Sequence, residues 1–70
     1  MIRALIRNPN TGQQRWFIFP LYFGKLSEIG FSGDYNDGVE IVEIDGTNQF
    51  YTGYCTLNEL EDLNRLAEGD

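Results

Sequence analysis

Apolar residues recur along this chain at spacings that change from two residues to three and four, and the changes mark its elements. From Ile2 to Arg7, Ile2, Ala4 and Ile6 fall on one face of a strand, with Arg3, Leu5 and Arg7 on the other. Asn8-Pro9-Asn10-Thr11-Gly12 gathers turn formers, and Arg15-Trp16-Phe17-Ile18-Phe19 resumes a β-prone run, which predicts a hairpin. Pro20 lacks an N–H and ends the second strand, while its fixed φ suits the start of a helix. A short helix is expected over Leu21 to Ile29, with Tyr22, Leu26 and Ile29 on its apolar stripe. Gly30 to Gly38 reads as a loop, with Phe31 and Tyr35 as anchors back to the core.

Val39-Glu40-Ile41-Val42-Glu43-Ile44 is a strand bounded by Gly38 and Asp45-Gly46, and simple alternation would put Val39 and Ile41 on one face and Val42 and Ile44 on the other. Phe50 to Tyr54 suggests a further short extended piece. Thr56-Leu57-Asn58-Glu59 is a capping box: the Thr hydroxyl accepts an orphan N–H of the first turn while the Glu carboxylate reaches back. Leu57, Leu60, Leu63 and Ala67 then share one stripe, Gly69 stands where the helix stops, and Glu61 with Arg65 forms an i,i+4 pair outside. The pattern predicts an α+β fold: a small three- to four-stranded antiparallel sheet, a short helix after strand 2, and a C-terminal helix packed on the sheet.

Composition sharpens this in three ways. With 70 residues, 41% of them apolar and 14% aromatic, the chain is expected to fold as a single domain over residues 1–70. One cysteine, Cys55, allows no internal disulfide, and a reducing cytoplasm fits that usage. The opening Met-Ile-Arg-Ala-Leu-Ile-Arg run is too short and charged for a signal peptide, and no apolar run is long enough to span a bilayer.

Charge changes the picture most. Residues 1–25 carry Arg3, Arg7, Arg15 and Lys25 with no acid, whereas residues 26–70 carry eleven acids against Arg65 alone. A net charge of −6 argues against direct binding to nucleic acid, whose phosphates need a basic surface, and favours a basic protein partner; solubility alone is the plainer reading.

Catalytic chemistry has little to stand on. The chain has no histidine, which removes the usual general base, the commonest metal ligand and the common triads. Cys55 reads as a small apolar residue ahead of a helix cap, although a helix N-terminus nearby would lower its pKa. Asp34-Tyr35-Asn36-Asp37-Gly38 has the oxygen ligands of a calcium loop but not its register, since Val39 stands where the EF-hand needs Gly and Asp45 where it needs Glu. The aromatic residues Trp16, Phe17, Phe19, Tyr22 and Phe23 fit a core better than a base-stacking platform. No catalytic residue, cofactor or metal is expected.

Three pieces together resemble a known family. They are Trp16-Phe17-Ile18-Phe19-Pro20, the strand Val39-Glu40-Ile41-Val42-Glu43-Ile44-Asp45, and the run Tyr54-Cys55-Thr56-Leu57-Asn58-Glu59-Leu60-Glu61-Asp62-Leu63-Asn64-Arg65-Leu66-Ala67-Glu68. In that order, over nearly the whole chain, they resemble the N-terminal domain of the ArdA-type antirestriction proteins. The resemblance implies a DNA mimic of phages or mobile elements, whose carboxylates stand in for phosphates in the groove of type I restriction-modification enzymes. Proteins of that family are longer, with further domains that carry most of the mimicry and the dimer contact.

The expectation is therefore a non-enzymatic inhibitor whose partner is a protein with a basic DNA-binding groove, either a restriction-modification enzyme or a CRISPR effector. The acids available for contact are Asp34, Asp37, Glu40, Glu43, Asp45, Glu61, Asp62 and Glu68. The alternative is a structural or regulatory interaction module that uses its aromatic surface, with homodimer formation left open. No membrane partner is expected.

Overall fold

The computed structural model describes residues 1–69. Strands β1 (Ile2–Arg7), β2 (Gln14–Phe19), β3 (Gly38–Asp45) and β4 (Gly53–Thr56) form one antiparallel sheet in the order β2-β1-β3-β4. A 3-10 helix, Phe23–Ile29, lies in the crossover from β2 to β3, and α1 (Leu57–Ala67) follows β4 without a loop. The fold is α+β, with α1 packed on the sheet.

Strand pairing follows the side-chain alternation. In the β1–β2 hairpin, Ile2 opposes Phe19, Ala4 opposes Phe17 and Ile6 opposes Arg15, so the small Ala4 faces a large ring on the inner side. Ala4, Ile6, Phe17, Phe19, Val39, Ile41 and Cys55 pack from the sheet against Phe23, Leu26 and Ile29 of the 3-10 helix and Leu57, Leu60 and Leu63 of α1. Both helical elements thus cover the same face. The opposite face carries Arg3, Leu5, Arg7, Trp16, Ile18, Glu40, Glu43, Asp45 and Tyr54, and no other element among the described residues covers it. Antiparallel sheets commonly present one face to water in this way.

Where the strand pattern meets an odd spacing, a β-bulge resolves it. Leu5 opposes Glu43 while Ile6 opposes Ile41, which leaves Val42 as an extra residue on β3. Val39, Ile41 and Ile44 consequently all pack on the core, and Val42 remains on the open face. Simple alternation separates Ile44 from Val39 and Ile41, and the bulge corrects that assignment.

Three further sequence expectations shift. The segment after Pro20 is a 3-10 helix starting at Phe23, and three residues per turn place Phe23, Leu26 and Ile29 inside while Tyr22, 78% exposed, stays outside. The last strand is Gly53–Thr56 rather than Phe50–Tyr54, because Cys55 pairs with Val39 and brings an apolar side chain to the core. Of the β2 aromatics only Phe17 and Phe19 are buried, while Trp16 is 41% exposed and lies under the Arg3 guanidinium at 4.7 Å.

Two buried asparagines join these parts. The side-chain amide of Asn64 on α1 donates to the Leu21 carbonyl at 3.0 Å, and its Oδ1 accepts the Leu21 N–H at 2.7 Å. At the end of the 3-10 helix, Asn8 Nδ2 donates to the Ile29 carbonyl at 2.8 Å, and its Oδ1 accepts the Asn10 N–H at 2.9 Å. The Ile29 carbonyl needs an outside partner because the chain leaves the helix at Gly30, whose φ of 94° belongs to the left-handed region. Asn64→Leu would keep the volume but leave both Leu21 backbone groups without partners. It should cost about 2–4 kcal/mol, measured by urea unfolding, because each buried polar group left unpaired costs about 1–3 kcal/mol; a loss under about 1 kcal/mol would contradict the clamp.

Candidate functional site

The eight acids expected as contacts do not share one face. Glu40, Glu43 and Asp45 lie on β3 and project onto the open face of the sheet. Glu61, Asp62 and Glu68 lie on or just after α1, which covers the other face. Asp34 and Asp37 lie in the loop that leads into β3.

Ion pairing divides them again. Arg3 Nε meets Asp45 Oδ2 at 3.0 Å, and Arg7 meets Glu40 at 3.0 Å, both across the β1–β3 pairing. Arg15 on β2 pairs with Glu28 of the 3-10 helix. Arg65 pairs with Asp62 three residues earlier, which corrects the expected Glu61–Arg65 pair. These are surface pairs, each adding about 0–1 kcal/mol to stability. Their larger effect is on the field: all four arginines face a carboxylate, and Lys25 is the cation without an ion pair among the described residues. On the same terms Asp34, Asp37, Glu43, Glu59, Glu61 and Glu68 belong to no ion pair.

Three of these acids, Asp34, Asp37 and Glu59, belong to segments that hydrogen bonds join without any sequence motif to signal it. The backbone N–H groups of Leu57 and Asn58, in the first turn of α1, donate to the carbonyls of Asp37 and Tyr35, each at 3.1 Å. The loop is itself a tight turn: Asp37 N–H donates to the Asp34 carbonyl at 3.0 Å and Asn36 N–H to Asp34 Oδ1 at 2.9 Å. Asp34 and Asp37 are therefore tied to the end of α1 that carries Glu59. The capping box forms as expected, with Thr56 N–H donating to Glu59 Oε1 at 3.0 Å and Glu59 N–H to Thr56 Oγ1 at 3.3 Å. A helix N-terminus favours negative charge, so carboxylates are stabilised where the loop and helix meet. The Tyr51 hydroxyl, pushed above its ordinary 10.0 by desolvation first and by Glu59 next, stands beside this group.

Sequence reasoning treated Glu59 as a cap and left it outside the contact set. The capping-box spacing located it, but only the loop-to-helix hydrogen bonds place it with Asp34 and Asp37. Among the described residues no three His, Cys, Asp or Glu side chains gather as a metal site, and no helix is long and apolar enough to cross a membrane.

Comparison of the chain with family models, with curated proteins and with solved structures finds no match. The chemistry of the site must be read from its own geometry.

Cys55 has the opposite electrostatics from a nucleophile. Burial among core residues, and secondarily the Glu59 carboxylate, push its thiol up from 9.0 to about 11, overriding any lowering by the helix end. Near neutral pH the folded chain should react with a thiol reagent far more slowly than the denatured chain, since a shift of that size lowers the thiolate fraction by roughly 100-fold. The folded pKa lies above the unfolded one, so this group's contribution to stability is intact below pH 9.0 and is lost as pH rises towards about 11. Equal labelling rates in the two states would refute the assignment.

Proposed function

We propose that this chain is an antirestriction-like inhibitor that binds a nucleic-acid-binding host defence enzyme of the type I restriction-modification class, presenting carboxylates where that enzyme expects DNA phosphates. The observation that carries the reading is the pairing of all four arginines with acids, which leaves outward charge of almost one sign. Such a surface gains from a basic groove the same Coulombic attraction and counterion release that DNA phosphates gain. Its working group is Asp34 and Asp37 in the loop with Glu59, Glu61, Asp62 and Glu68 on the helix side. Glu40, Glu43 and Asp45 form a separate, partly neutralised row on the open sheet face. A CRISPR effector with a comparable basic groove would accept the same surface. The resemblance to the ArdA-type N-terminal domain points to the restriction enzyme first.

One observation favours a second reading. The open sheet face exposes Ile18 at 58% beside Trp16 on one edge strand and Tyr54 at 70% on the other, as an interaction module using aromatic and aliphatic contacts would, with a second copy of the chain among its partners.

The two readings separate on charge. Binding to a purified type I methyltransferase should be detectable at about 0.1 M salt and should weaken as salt rises. Replacing Asp34, Asp37, Glu61 and Glu68 together by their amides should weaken it by about tenfold or more, at a few tenths of a kcal/mol or more per charge. Trp16→Ser and Ile18→Ser should leave that binding within about twofold, a shift of under 0.5 kcal/mol. If binding is absent, is insensitive to salt, or falls only in the Trp16 and Ile18 variants, mimicry is not the mechanism.

A further inference from the structure

In a 3-10 helix positions three apart stack above one another, so the element has three faces. In Phe23–Ile29, Phe23, Leu26 and Ile29 form the buried face. Lys25 and Glu28 form a charged one, on which Glu28 meets Arg15. The third face carries only Gly24 and Ser27, and this lack of bulk opens a cavity of about 290 Å³. The aromatic residues Tyr22, Phe23, Phe31 and Tyr35 line it, together with the hydroxyl-bearing Ser27 and Ser32. The Phe23 and Tyr35 rings meet at 5.6 Å and 43°. Tyr22 lies so close over Gly24 that a Cβ added there would come within 2.4 Å of the Tyr22 ring.

Among the described residues no ionised side chain lines this cavity and Asp34, which lies in the chain between the lining residues Gly33 and Tyr35, takes part in no ion pair. Ring faces carry the negative lobe of the aromatic quadrupole and attract cations, most strongly away from water. An acid next in sequence to two lining residues and a molecule of net charge −6 act in the same direction. Lys25 is on a different face of the 3-10 helix, and no cation among the described residues lines the cavity. Between arginine and lysine, a planar guanidinium stacks on rings and still has N–H donors in its plane for the two serine hydroxyls, which a strongly hydrated ammonium does less well.

We infer that this aromatic cavity receives an arginine side chain from the basic protein partner, with its guanidinium among the aromatic residues and the field of an acidic molecule drawing it in. The inference rests on the inhibitor reading and adds to it a shaped contact that a field of carboxylates alone lacks.

The test is an NMR titration of the full chain with N-acetyl-arginine amide and, separately, with N-acetyl-citrulline amide, which has nearly the same shape without the charge. Arginine amide should shift the ring signals of Tyr22, Phe23, Phe31 and Tyr35 saturably, and citrulline amide should bind at least about fivefold more weakly. Gly24→Ala, at a position whose φ is not positive, should displace the Tyr22 ring, leave the sheet signals in place and weaken arginine binding about fivefold. Equal titration by citrulline, no saturable shift with arginine, or an unchanged titration in Gly24→Ala would each overturn the inference. Methyltransferase binding without an arginine titration would sink the cavity alone, and an arginine titration without methyltransferase binding would sink the inhibitor reading alone.

Discussion

The first part of the crossover from β2 to β3, from Leu21 to the end of the 3-10 helix, is held at both ends by amide side chains buried from water, and the arrangement of the whole molecule depends on that clamp. Residues 20–30 have no strand neighbour to satisfy their backbone. Asn64 from α1 takes both polar groups of Leu21, and Asn8 from the β1–β2 turn takes the carbonyl of Ile29. The second bond ties the hairpin turn to the end of the 3-10 helix, and the first ties α1 to its approach. With both in place, Phe23, Leu26 and Ile29 are pressed onto the sheet beside the leucines of α1. A chain this short buries a limited area, so two satisfied polar clamps in the interior are a large part of what makes its packing unique.

Elements whose signal is local were legible in the sequence. The alternation in Ile2–Arg7, the turn formers at Asn8–Gly12 and the Thr56–Glu59 box each specify structure through neighbours a few residues apart, and each forms where expected. What escaped depends on partners far away along the chain. The Val42 bulge is a property of β3 pairing with β1, and only that pairing turns an odd spacing in β3 into one inward face. Asn64 sits in the apolar stripe of α1, where a polar residue ordinarily signals the solvent side, and its partner Leu21 is 43 residues distant. Period three was also hidden, since Phe23-Gly24-Lys25-Leu26-Ser27-Glu28-Ile29 fits a weak α-helix nearly as well as a 3-10 helix.

The charge pattern reads differently in three dimensions. Along the chain the basic and acidic segments look like two poles. Folding places β1 between β2 and β3 and sets Arg3 and Arg7 opposite Asp45 and Glu40, so the poles largely cancel on the sheet. The acids without ion pairs lie mainly in the loop before β3 and along α1, with Glu43 apart on the sheet. Of the six acids without ion pairs among the described residues, sequence named all but Glu59 as contacts, but could not say that the loop of Asp34 and Asp37 is bonded to the start of the helix that carries Glu59.

One joint in this architecture has no slack. Thr56 is at once the last residue of β4 and the cap of α1, and Leu57 already belongs to the helix. The direction in which the helix departs is therefore set by the pairing of Cys55 with Val39 and by the loop carbonyls that receive Leu57 and Asn58. Tolerance to insertion must be very uneven along such a chain. The turn between β3 and β4 can grow or shrink at the surface, whereas a single residue added at the strand-to-helix corner would rotate every helical side chain by about 100° and withdraw the leucines from the core.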